Sequence, residues 1–274
     1  MVGKDLERQI IVLFDEQGTP TFGRDRENDW FLGVAVTYDL AEEQGIFRTC
    51  DELFGLSNQR PLKNNRISNS RAERISASVT QLPLQTIVRS VNLADHEFQQ
   101  ALTVYEQLGN ELRKKHRQVG ERNIAQILHF HILVETVFMS VIGYVQRGLT
   151  SSVISLCVDD WSLPRDDMEI YLKDWARSIE SDVNSFYQEQ SIDLNVRTLP
   201  VSLMKEDSRR KRFVDVITSV VSRSFLRENS VRFSRVPLQT LLTNNMNRYE
   251  DVTKASIGFV RGLMDDMSRN PPVG

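Results

Sequence analysis

Adjacent acids follow the ends of two apolar runs in this sequence. Asp15 and Glu16 come directly after "IIVLF", and Asp159 and Asp160 follow "SSVISLCV". A run without polar alternation predicts a strand buried on both faces, and the ends of such strands are where folds of this class place their chemistry. If the two strands are neighbours, their terminal acids lie one strand spacing apart, about 4.8 Å. The alternative for Asp15 is a turn role, because its side chain bonds readily to nearby backbone.

A third acid, Asp215, lies in the apolar stretch "KRFVDVITSVVSRSFL". At helical spacing Asp215, Thr218, Ser219 and Ser222 form one narrow polar stripe. An acid on a mostly apolar helix is costly to bury, so a function that uses its charge is one interpretation. In the other, the stripe is the exposed face and Asp215 lies in water near the helix start, where its charge suits the helix dipole.

Brought together, these acids predict a metal site. Carboxylates a few ångströms apart repel unless a cation or a proton neutralises them. Ligand sets made only of oxygen favour Mg²⁺ or Mn²⁺, and two such ions about 3.5–4 Å apart can clamp a phosphodiester undergoing hydrolysis. The expected ligands are Asp15, Glu16, Asp159 or Asp160, and Asp215, with Asp159 preferred within its pair.

Two basic clusters could contact phosphates. One is "RPLKNNRISNSRAER", which contains Lys63, and the other is "RRKR" at residues 209–212. The formal charge of −3 is nearly balanced, so any nucleic-acid contact must be local. Each cluster could equally be solvated surface.

The elements that would position these residues follow from periodicity and turn signals. Strands followed by alternating helices and strands predict an α/β fold, a mixed five-stranded sheet flanked by helices. We expect one domain over residues 1–274, with a core at about 8–228 and a helical tail at 229–274. The strands are predicted near 10–14, 29–38, 84–93, 151–161 and 192–201, and the helices near 41–56, 70–82, 95–148, 165–189, 211–226 and 251–267.

Composition narrows the class further. The chain has 274 residues, 40% of them hydrophobic, and two distant cysteines, which support neither a disulfide framework nor a cysteine-based zinc site. The apolar stretch 124–145 contains histidines and a glutamate, so we interpret it as a buried core helix. We expect a cytoplasmic protein without a membrane partner.

Several short motifs add a resemblance. "LFDEQGTP" followed by "FLGVAV", then "VDDW", then "FVDVITSVVSR" resemble, in order, motifs of the family known as domain of unknown function 3800. The resemblance spans Ile10 to Arg227. It implies a ribonuclease H-like fold and a metal-dependent nuclease acting on DNA or RNA, in the setting of phage defence or mobile elements. The resemblance also implies that Lys63 matches a lysine of the family, and we expect it to be a catalytic residue together with the aspartates.

One departure from the family pattern leaves an alternative open. Pro61 stands where the family usually has an acid, and the residues that could replace it are Glu16, Glu52, Glu73 and Glu135. Without a replacement, the chain would be an inactive ribonuclease H-like binding or regulatory subunit, with a protein partner or a second copy of itself. We interpret His129 and His131 as core or supporting histidines, because two residues apart they face different sides of a helix.

Overall fold

The structure is a computed structural model, and it describes residues 8–18, 29–57, 67–115, 124–148, 151–159, 165–205, 208–226, 235–243 and 246–269. The strands are β1 (Arg8–Gln17), β2 (Trp30–Asp39), β3 (Leu84–Asn92), β4 (Ser152–Val158), β5 (Val196–Thr198), β6 (Ser202–Leu203) and β7 (Arg248–Asp251). The helices are α1 (Glu43–Phe54), α2 (Asn69–Val79), α3 (His96–Lys115), α4 (Ile124–Gly148), α5 (Arg165–Glu189), α6 (Arg209–Ser222), α7 (Leu238–Leu242) and α8 (Thr253–Arg269).

All of these strands join one mixed sheet. Its order is β5-β4-β1-β2-β3-β7, and β6 also pairs with β4. The pairs β1–β2 and β2–β3 are antiparallel, whereas β1 runs parallel to β4 and β4 runs parallel to β5. The predicted mixed sheet with flanking helices is therefore confirmed, and so is the predicted pairing of the first strand with the fourth.

The apolar run in β1 reaches a core on each face of the sheet. Ile11 and Leu13 belong to a cluster that includes side chains of α1, α2 and α6. Ile10, Val12 and Phe14 belong to a second cluster, with side chains of α4 and α5. Successive side chains of a strand point to opposite faces, so a strand covered on both sides needs apolar residues at every position.

Helix α4 lies on the second face as a core helix, as the sequence predicts. Its segment 127–147 is long and apolar enough to cross a membrane by length and composition, but 56% of its apolar window is buried inside the protein. A Cβ atom on Gly33 of β2 would lie 2.8 Å from Cγ2 of Ile132, so glycine permits this close approach of α4 to the sheet.

Within the described residues the sheet has seven strands, whereas five were predicted. The two unpredicted strands are short: β6 has two residues, and β7 has four residues with the sequence "RYED". Neither carries an alternating apolar pattern long enough to detect. Because β7 pairs with β3, residues 229–274 are not a purely helical tail.

Candidate active site

Two acids meet at the rim of the sheet where β1 and β4 end. In the parallel register Leu13 lies opposite Cys157, and Asp15 and Asp159 each lie two residues further along. Side chains two positions apart on a strand point to the same face. Both acids therefore belong to the face that carries Leu13, Cys157 and α6. Asp15 is only 9% exposed.

Helix α6 brings the third acid to this rim. The helix begins after Ser208, whose hydroxyl accepts a hydrogen bond from the backbone N–H of Lys211 at 3.2 Å. Its apolar side chains pack on the same face of the sheet as Leu13. Asp215 follows one turn after Lys211, and its charge acts on Asp15.

The polar stripe of α6 is mostly buried, so interpreting it as the exposed face was wrong. Thr218 is 1% exposed, Ser219 8% and Ser222 4%. The hydroxyl of Ser222 is satisfied locally, because it donates to the carbonyl oxygen of Ser219 at 2.9 Å. Small side chains also allow a helix to approach a sheet closely. Asp215 remains partly open to water, with 31% of its side chain exposed.

A lysine lies among the three acids. The ammonium of Lys211 donates a hydrogen bond to Oδ2 of Asp159, and it lies 3.3 Å from Oδ1 of Asp215. Only 10% of the Lys211 side chain is exposed, compared with 27% for Asp159. The sequence analysis placed Lys211 only within a basic cluster. The signal that could have found it is its spacing from Asp215, because residues four apart on a helix are neighbours.

The charges at this rim are unevenly balanced. Burial raises the pKa of Asp15 well above its ordinary value, and the nearby charges of Asp215 and Glu16 raise it further; Thr218 and Lys211 act in the opposite direction. Burial also disfavours the charge of Lys211, but the hydrogen bond to Asp159 and the three nearby aspartates outweigh it, so the pKa of Lys211 is raised. One ammonium therefore faces three carboxyl groups.

Glu16, also predicted as a ligand, lies on the other side of β1. Its carboxylate is 3.5 Å from Nε2 of His129 on α4, and 19% of its side chain is exposed. Adjacent residues of a strand point to opposite faces, which explains why Glu16 does not join Asp15. His129 also packs against the ring of Phe31, so it lies on the α4 face of the sheet and not beside Asp15, Asp159 and Asp215.

The remaining candidates lie elsewhere or outside the described residues. Glu52 and Glu73 are exposed on α1 and α2, and Glu135 forms a 2.9 Å ion pair with Arg89. Lys63, Asp160 and Pro61 lie outside the described residues.

The second basic cluster connects α6 to α1. Arg210 forms an ion pair with Glu43 at 2.7 Å, and Arg212 donates to the carbonyl oxygen of Leu56 at 2.9 Å. Arg209 reaches the hydroxyl of Ser57 at 2.9 Å, but 56% of its side chain is exposed. Of these three arginines, Arg209 has the most exposed side chain.

The donor atoms at the rim suit a hard cation. Asp15, Asp159 and Asp215 offer only oxygen, the ligand type that Mg²⁺ and Mn²⁺ prefer. Lys211 already contacts two of these acids. In the part of the chain that the structure describes, no group of three or more histidine, cysteine, aspartate or glutamate side chains is arranged to hold a metal ion.

Comparison with known proteins adds no evidence on the function of this chain. No protein-family model and no curated protein matches this sequence.

Proposed function

We propose that the protein is a Mg²⁺- or Mn²⁺-dependent nuclease with a ribonuclease H-like fold, and that its active site is the acid rim of Asp15, Asp159 and Asp215. The observation that carries the proposal is the parallel pairing of β1 with β4. It brings the acids that follow two separate apolar runs to one rim, and α6 adds a third. The strand order β5-β4-β1-β2-β3, with only β2 reversed, supports the fold assignment.

Each residue has a role in this proposal. Asp15, Asp159 and Asp215 would hold the metal ion, which when bound stabilises the charge that develops on a phosphodiester and activates water. Lys211 balances part of the negative charge of the acids. Arg209 is the exposed cation of α6 and would contact the nucleic-acid backbone, a role we also propose for Lys63.

The resemblance to domain of unknown function 3800 supports the same activity, because the opening strands, "VDDW" and the helix of Asp215 occur in the same order as the motifs of that family. The proposal therefore includes a place in phage defence or mobile-element biology and a cytoplasmic location. DNA and RNA are both substrate candidates, because phosphate chemistry is common to them.

A digestion assay tests the proposed function. Wild-type protein and Asp215→Asn are incubated with single- and double-stranded DNA and RNA, with Mn²⁺ or with a chelator. We expect cleavage of at least one substrate by the wild type in Mn²⁺ only, and none by Asp215→Asn. No cleavage of any substrate by the wild type, or equal cleavage by the variant, would overturn the proposal.

One observation favours a second candidate, an inactive subunit that binds nucleic acid or protein. Lys211 contacts two of the three acids, so the rim can persist without a metal ion. This candidate predicts that the wild type binds nucleic acid in a gel-shift assay without cleaving it, and that Asp215→Asn binds equally well.

A further inference from the structure

Helix α4 contacts helix α8 through two flat rings. The imidazole of His131 lies against the ring of Phe259, with 4.0 Å between the ring centroids and 2° between their planes. His131 is partly buried in this position. Helix α8 otherwise packs mainly against α3 and β3, so the stack joins it to a third element.

Within the described residues, two charged groups act on His131, Glu135 and Arg89. Glu135 lies one turn further along α4 and forms a 2.9 Å ion pair with Arg89 of β3. Arg89 also binds Glu250 of β7 at 2.8 Å. The residues of α8 one turn before and after Phe259 carry no charge: Ala255, Ser256, Gly262 and Leu263. An imidazolium at this position would therefore lie beside a guanidinium that already occupies both acids.

The titration of His131 opposes its docked position in acid. Burial lowers the pKa of His131 below its ordinary value, the charge of Glu135 raises it, and the charge of Arg89 lowers it. Above about pH 6.5 the imidazole is neutral whether α8 is docked or released, so the docking does not depend on this group. As the pH falls below that value, docking weakens, because the solvated imidazole of the released state binds the proton more tightly.

The half of α8 after the stack is weakly held. Val260 is the last buried side chain of the helix. Three later apolar side chains are only partly buried: Leu263, Met264 and Met267. Gly258 and Gly262 lie inside the helix, where glycine is less stable than alanine, and a Cβ atom at either position would have nothing within 4 Å. A small change in the free energy of docking can therefore loosen this half.

We propose that the stack of His131 on Phe259 is a pH-sensitive latch: the neutral imidazole holds residues 259–269 on α4, and protonation of His131 loosens them in mild acid. Loosening uncovers apolar side chains that α8 turns towards the protein, among them Phe259 and Met264. The inference is independent of the acid rim and of the proposed nuclease, because none of its groups belongs to that rim.

Amide hydrogen exchange of the whole protein tests the latch, with rates corrected for the intrinsic pH dependence of exchange. In the wild type, the protection of residues 259–269 should fall at least about threefold between about pH 7.5 and about pH 5. The fall should not exceed about tenfold per pH unit, which is the limit for one proton. This range stays above the usual pKa of solvated carboxylates. Unchanged protection would overturn the inference.

The decisive variant is His131→Phe, which keeps a flat ring for the stack but cannot take up a proton. The protection of residues 259–269 should then change by less than about twofold over the same range. The matched control is His96→Gln, which removes another imidazole, exposed at the start of α3, and should keep the wild-type response. A wild-type response in His131→Phe, or its loss in His96→Gln, would contradict the latch.

Two further variants keep the test decisive. If His131→Phe does not fold, His131→Gln replaces it, because the amide is also uncharged over this range. The same loss of the pH response is expected, and a retained response overturns the latch. Gly262→Ala should raise the protection of residues 259–269 by a similar factor at both pH values and keep the response. Loss of the response in Gly262→Ala would assign the effect to weak helix propensity and overturn the role of His131.

Discussion

Two clusters on opposite faces of the sheet each place acids around one cation, and they differ in charge balance. On the α6 face, Lys211 faces Asp15, Asp159 and Asp215. On the α4 face, Arg89 of β3 binds Glu135 at 2.9 Å and Glu250 at 2.8 Å. The glutamates are 44% and 39% exposed, so water shares their charge, whereas Asp15 is 9% exposed.

The difference shows how similar residue types can serve different ends. The planar guanidinium of Arg89 offers several N–H groups, and it satisfies two solvated acids while joining β3, α4 and β7. Lys211 is a compact charge facing a larger number of less exposed acids. We therefore interpret the Arg89 cluster as a structural tie, and the uneven charge balance at Lys211 is the feature on which the proposed metal site rests.

The largest contrast is expected in catalysis. Asp15→Asn should lower the rate of Mn²⁺-dependent cleavage by at least about 100-fold. Loss of a residue that only positions a metal ligand already lowers activity, and loss of the proposed ligand itself should cost at least as much. Glu250→Gln, the same change in the Arg89 cluster, should stay within about twofold of the wild-type rate. Initial rates on the best substrate check both values. Equal losses of rate in the two variants would contradict the claim that the aspartates act in catalysis and the Arg89 cluster does not.

Stability should separate the two cations. Arg89→Met should lower the free energy of unfolding by about 1–2 kcal/mol, discounted because both of its glutamate partners are substantially exposed. Millimolar Mn²⁺ should not restore this loss, whereas it should restore the stability that Lys211→Met loses in chelator. Urea unfolding with and without Mn²⁺ measures both. Rescue of Arg89→Met by Mn²⁺ would contradict the structural role of that cluster.

The pH dependence of stability should trace to Asp15. Its folded pKa is raised by burial and by Asp215 and Glu16, so at pH values between the unfolded and the folded pKa the folded state holds a proton that the unfolded state has released. Without metal, stability is therefore unaffected by this group below about pH 4, and it falls as the pH rises through the folded pKa, by at most about 1.4 kcal/mol per pH unit. Asp15→Asn should flatten this slope in urea unfolding series, and Glu250→Gln should keep it. A slope unchanged in Asp15→Asn would assign the effect to other groups.

The smallest effect is expected for Glu16. Its carboxylate faces His129 on the other side of β1, so Glu16→Gln should change the Mn²⁺ affinity by less than about threefold. A loss as large as that of Asp15→Asn would show that Glu16 reaches the rim when metal binds. Calorimetric titration of the two variants side by side makes the comparison.

Periodicity and the ends of apolar runs were enough to predict several parts of this molecule. Residues 165–189 form a helix with the predicted bounds, and β1 and β4 are neighbours as expected. Glu16, which was expected to be a ligand together with Asp15, instead faces His129, although the alternation of side chains along a strand already indicates that the two acids point to opposite faces. The helix bounds and the strand alternation are local signals, because each depends on the residues of one element.

The remaining features depend on how elements pack against each other. The burial of Thr218 and Ser219 and the contact of Lys211 with Asp159 require the rotation of α6 relative to the sheet. No pattern within a single helix fixes that rotation when apolar residues occupy most of its circumference. The strand β7 was missed for a related reason, because its four residues become a strand only by pairing with β3.

The most direct test of the acid rim as a metal site is a crystal of the wild-type protein grown in saturating Mn²⁺ and measured for anomalous scattering. We expect a peak contacting carboxylate oxygens of Asp15, Asp159 and Asp215, with the ammonium of Lys211 moved away from Asp159. No peak at this rim, with Lys211 still bound to Asp159 and Asp215, would contradict it.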